Sequence, residues 1–99
     1  MKKTTLKFLA IRTALALKKD CENMVVEYEA YYSDDDLMEI KRLENLAWDV
    51  WVDLTSDVKW SKDSIIEFIN FLESFAHEVT HYHVVGIVGD HDYKKSLKA

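Results

Sequence analysis

His77-Glu78-Val79-Thr80-His81 is the string in this chain whose residue types and spacing name a chemistry. Residues four apart on a helix share a face, so the two imidazoles could close on one zinc ion. Two further groups offer charge rather than catalysis. Asp34, Asp35 and Asp36 run consecutively, and Asp49, Asp53 and Asp57 recur every fourth residue. No Ser/His/Asp arrangement is arguable from the spacing. The one cysteine, Cys21, falls on an apolar stripe, where it reads as a small buried hydrophobe rather than a nucleophile.

The H-E-x-x-H pattern resembles that of the zinc metalloproteases. The resemblance implies a zinc ion on His77 and His81, with Glu78 as general base to a metal-bound water. It covers five of the 99 residues. Such sites need a third protein ligand. In the extended form of the motif a histidine follows six residues after the second; here Ile87 stands there, and Val84 replaces the intervening glycine. No glutamate follows Glu78, which leaves Asp90, His91 or Asp92 to serve. Nothing upstream resembles the edge strand that holds a peptide substrate. Glu78-x-x-His81 also matches half of the di-iron motif of ferritin-like bundles, without its second copy. At about 100° per residue, His77 and His81 point away from the apolar stripe of their helix, toward solvent or a second chain.

The elements that would position these groups are helices. The chain has no proline and only two glycines, Gly86 and Gly89, so its first 85 residues lack strong punctuation. Leu6, Leu9, Thr13, Leu17, Cys21, Met24, Tyr28 and Tyr31 step by threes and fours and predict one long helix. Ser33 or Asp34 can cap the next, and the aspartates that follow favour its positive end. A second stripe runs through Leu37, Ile40, Leu43, Ala47, Val50, Leu54 and Val58, widened by Trp48 and Trp51. Ser61 and Asp63 signal a third start. The third stripe is Ile65, Phe68, Ile69, Leu72, Phe75, Ala76, Val79 and Tyr82 or His83, with His83 expected partly buried and hydrogen-bonded. Gly86 and Gly89 are read as its end.

The expected fold is therefore all-α, a three-helix up-down-up antiparallel bundle over 1–89 with a charged tail over 90–99. The alternative is an α+β domain with short strands near 24–32 and 81–88, both rich in Val and Tyr. In the bundle, all four histidines gather with Asp34, Asp35 and Asp36 at one pole. Phe8, Ile11 and Leu15 form a ridge on the other face of the first helix, expected to meet a partner or a second copy of the chain.

Charge is segregated. Residues 1–19 carry six bases (Lys2, Lys3, Lys7, Arg12, Lys18, Lys19) and no acid, whereas residues 20–57 carry twelve acids against Lys41 and Arg42. Like charges at i, i+4 and i+8 repel by a few tenths of a kcal/mol per pair. A column such as Asp49, Asp53 and Asp57 therefore belongs on a solvated face or opposite a basic partner. The basic start of the first helix is expected to lie beside that column and be neutralised within the chain, which argues against direct nucleic-acid contact. Lys2 and Lys3 before an apolar stretch ending Ala14-Leu15-Ala16 outline a signal peptide, but Lys7 and Arg12 interrupt it. With no segment of membrane-spanning length and one cysteine, a reducing, cytoplasmic location is expected.

These features favour a small non-enzymatic regulator or inhibitor that docks an acidic and aromatic helical surface on a basic protein. Phage-encoded inhibitors of nucleic-acid-binding host defence proteins are an analogy of type for it, without a motif behind the analogy. The expected contact residues are Asp34, Asp35, Asp36, Asp49, Asp53, Asp57, Phe8, Ile11 and Leu15. The alternative is a zinc-dependent hydrolase or zinc-binding protein using His77 and His81.

Overall fold

Three helices account for nearly all of the chain in the computed structural model, which describes residues 1–98. Helix α1 spans Lys3–Tyr28 and passes through a 3-10 turn at Glu29–Tyr31; α2 spans Asp34–Thr55 and α3 Lys62–Leu97. Their starts are set by side chains. Ser33 Oγ accepts from the Asp36 N–H at 3.1 Å, and the Asp36 carboxylate accepts from the Ser33 N–H at 3.3 Å. Both free donors are thereby satisfied, with Asp34, Asp35 and Asp36 at the positive end of α2. At α3, Ser61 Oγ accepts from the Ser64 N–H at 3.1 Å.

The helices form a three-helix bundle, and no strand occurs among the described residues. Residues 24–28 belong to α1 and 81–88 to α3, so the strand alternative is set aside. Helix α1 does most of the packing. It lies against both α2 and α3, while those two touch each other over much less of their surface. The core is Ala10, Ala14, Leu17, Cys21 and Met24 of α1 against Ile40, Leu43, Ala47, Val50 and Leu54 of α2, and Ile65, Leu72, Phe75 and Val79 of α3. No charged residue is buried, and no buried side-chain polar atom lacks a partner among the described residues.

Three sequence expectations are corrected. First, the α1 stripe is phased differently in its first half. Ala10 and Ala14 are buried, Thr13 is half-buried, and Leu9 is 45% exposed. A helix flanked on two sides needs small residues where its neighbours approach closely, and bulk is a poor guide there. Second, Gly86 and Gly89 do not end α3, which continues through the charged segment to Leu97; Ala99 lies outside the described residues. They are instead slots for tyrosine rings. A Cβ at Gly86 would lie 2.6 Å from Tyr28 Cδ2 and 2.7 Å from the Tyr32 hydroxyl, and one at Gly89 would lie 2.7 Å from Tyr31 Cβ. Third, His83 is exposed, with its ring 6.0 Å from that of Tyr28; the half-buried position belongs to Tyr82.

The tyrosines fasten the end of α1 to the far part of α3. Tyr32 donates to the Tyr82 carbonyl at 2.7 Å, and Tyr31 donates to Asp90 Oδ1 at 3.2 Å. Lys94 holds the other Asp90 oxygen at 2.9 Å and, with Tyr31, keeps that carboxyl below its usual range. The 36-residue α3, about 54 Å long at 1.5 Å per residue, sets the long dimension of a molecule 57 × 24 × 17 Å.

Candidate protein-binding groove

Because α2 and α3 touch over little of their surface, the seam between them opens into two grooves. Antiparallel packing pairs the start of α2 with the middle of α3 at one end, and the last turns of α2 with the start of α3 at the other.

The first groove, of about 520 Å3, is lined by Asp35, Asp36 and Glu39 of α2 and by His77, Glu78, His81 and Tyr82 of α3. The structure thus brings two of the Asp34–Asp36 carboxylates to the H-E-x-x-H string. His77 and His81 are exposed. Glu78 is engaged by Arg42 at 3.3 Å, and Arg42 also binds Glu39 through Nε at 2.6 Å. That hydrogen bond holds the Glu39 carboxyl below its usual range. No three His, Cys, Asp or Glu among the described residues are placed to hold a metal ion. His91 is remote from the pair along α3, and Asp90 is occupied by Tyr31 and Lys94.

The second groove, of about 400 Å3, has an aromatic floor and acidic rims. Trp60, Phe68 and Phe71 supply rings, Leu46 and Val50 the α2 wall, and Asp49, Asp53 and Glu67 the carboxylates. The loop between α2 and α3 sets its end wall. Trp60 donates its indole N–H to the Asp53 carbonyl at 2.8 Å and meets Phe68 edge-on at 5.1 Å. Phe71 meets Phe75 edge-on at 5.1 Å and remains exposed on its other side. No cation among the described residues lies within ion-pairing distance of Asp49, Asp53 or Glu67. The carboxylates surround apolar surface with their charge uncompensated by contact.

Of the remaining expected contact residues, Asp34 is exposed at the first turn of α2, and Asp57 lies past the end of that helix, outside the groove lining. Phe8 is 60% exposed, while Ile11 packs against the core and Leu15 is half-buried, so the three do not form a free ridge. The basic start of α1 does not neutralise the aspartate column by contact. Arg12 instead lies 5.7 Å over Phe8, and Lys18 5.2 Å over Trp48 while pairing with Glu22. Sequence spacing alone does not place Glu67, Trp60 and Phe68 at this groove. The available signal was Phe71, an aromatic residue off the core stripe of its helix.

No family model, curated protein or solved structure matches this chain. No helix among the described residues is long and apolar enough to cross a membrane.

Proposed function

We propose that this protein is a non-enzymatic binding module whose α2–α3 groove takes a basic amphipathic segment of another protein, acting as a regulator or inhibitor of that partner. The observation that carries this reading is the ring of Asp49, Asp53 and Glu67, unpaired, around the rings of Trp60, Phe68 and Phe71. Apolar side chains of a ligand would cover the aromatic floor while its Lys or Arg residues meet the rim. Such a rim raises association rates and selects against acidic ligands. Arginine suits it best, because a guanidinium can stack on Trp60 and donate two parallel N–H bonds to a rim carboxylate. The hydrolase reading gains no support, since Glu78 is paired with Arg42 and no third metal ligand joins His77 and His81 among the described residues.

The test uses a synthetic helical peptide with Leu on one face and Arg on the other, titrated against the protein while Trp fluorescence is read. Losing an attraction and gaining a repulsion at two rim positions, at about 0.2–1 kcal/mol each, totals about 1–4 kcal/mol. The D49K/D53K variant should therefore bind at least about fivefold more weakly and show a reversed salt dependence. Equal affinity of wild type and variant would overturn the proposal.

A further inference from the structure

The exposed face of α3, which borders α2 at the first groove through His77 and His81, carries a seam. Along it lie His77, His81, Val84, Val88 and His91, in steps of four, three, four and three residues. That alternation is the spacing at which one helix presents a seam to another. Val84, Ile87 and Val88 are 52%, 48% and 51% exposed.

The two ends of the seam lie at equal distances from Val84. His77 and His91 stand seven positions to either side of it, and Glu73 and Lys95 eleven positions. At about 1.5 Å per residue these are about 10 Å and about 16 Å from the midpoint. If two α3 helices pair antiparallel across a two-fold axis at Val84, His91 of the second copy comes level with His77. Lys95 of the second copy comes level with Glu73, and the same holds at the other end. Neither Glu73 nor Lys95 has an ion-pair partner among the described residues of its own chain.

We propose that two copies of this chain pair antiparallel through α3 and bind one zinc ion at each end of the seam, held by His77 and His81 of one copy and His91 of the other. The second copy thus supplies the third ligand that the H-E-x-x-H string lacks among the described residues of its own chain. Side chains on a helix lean toward its N-terminus. In the antiparallel pair His77 and His81 lean one way and His91 of the second copy leans back toward them, so the three imidazoles converge. Asp92 of the second copy, next to His91, or a water completes a tetrahedral set. With Glu78 held by Arg42, the ion acts as a clamp rather than a hydrolytic centre.

The apolar part of the seam is three residues per chain, far short of the 1,200–2,000 Å2 that a stable interface buries, by about any packing. The metal therefore decides association. The pairing leaves the aromatic groove at the other end of the bundle open, so it is independent of the peptide binding proposed above.

The test measures mass in solution by light scattering, with metal content by elemental analysis, on protein without a histidine tag. The expected result is a monomer in chelator, and a dimer with one zinc per chain once zinc chloride is added. Both H91A, which leaves the H-E-x-x-H string intact, and H77A/H81A should stay monomeric in zinc. An equimolar mixture of these two variants should regain a dimer carrying one zinc per two chains, because one end of the seam is then complete. All three histidines are exposed, so circular dichroism should show the fold unchanged. Zinc binding that survives H91A, a monomer at saturating zinc, or a mixture that fails to pair would each overturn the proposal.

Discussion

Replacing Gly86 by alanine separates two accounts of the same residue by the sign of its effect. A glycine inside a helix costs about 1 kcal/mol relative to alanine. If Gly86 were only a flexible stop, G86A would stabilise the protein by about that amount. In the structure the added Cβ meets Tyr28 Cδ2 at 2.6 Å, Tyr28 Cγ at 2.7 Å and the Tyr32 hydroxyl at 2.7 Å. Neither ring can retreat freely. Tyr28 is half-buried against the core, and Tyr32 is buried with its hydroxyl on the Tyr82 carbonyl. Overpacking of this kind costs about 1–3 kcal/mol, and loss of the Tyr32 hydrogen bond about 0.5–1.5 kcal/mol. Set against the propensity gain, the net is a destabilisation of about 1–3 kcal/mol. For a domain of this size that is a fall in Tm of about 5–15 °C. Urea denaturation followed by circular dichroism measures it directly, and the G86A/Y32F double variant should recover part of the loss by removing the clashing hydroxyl. A G86A protein more stable than wild type would refute the reasoning.

Three further outcomes follow from the core and the caps. Burial, reinforced by Glu44, Asp20 and Glu22, pushes the Cys21 thiol up to about 12, so iodoacetamide at pH 8 should leave it unmodified until urea unfolds the chain. Because the folded chain holds that proton more tightly than the unfolded one, stability present below pH 9 should decline between pH 9 and 12, by at most about 1.4 kcal/mol per pH unit for this group. A denaturation midpoint that is flat across that range would contradict the assignment. Ser33→Ala removes the capping side chain of α2 and should cost about 1 kcal/mol in the same urea assay; no change would mean that the cap is dispensable.

How far the sequence speaks depends on how each helix is packed. Helix α2 buries one narrow stripe, and Ile40, Leu43, Ala47, Val50 and Leu54 are the residues its period picks out. Its start at Ser33 and that of α3 at Ser61 are local hydrogen-bond chemistry and are readable for the same reason. Helix α1 is sandwiched, and its close contacts fall on Ala10 and Ala14, which a search for bulk passes over. Gly86 and Gly89 mislead because their role depends on tyrosines more than 50 residues away in the chain. The groove was half legible. The spacing of Asp49 and Asp53 is local to α2, but Glu67, Phe68 and Trp60 join them only through the tertiary packing of α3 and its preceding loop.

The most direct test of the groove as a binding site is an amide and indole chemical-shift map of the labelled protein during titration with the Leu/Arg helical peptide. The account predicts that the Trp60 indole signal and the amides of Asp49, Asp53, Glu67, Phe68 and Phe71 shift first and saturate together, and that added salt reverses the change. Shifts that centre instead on Asp34–Asp36 and the histidine end, or that spread evenly over the acidic surface without saturating, would contradict it.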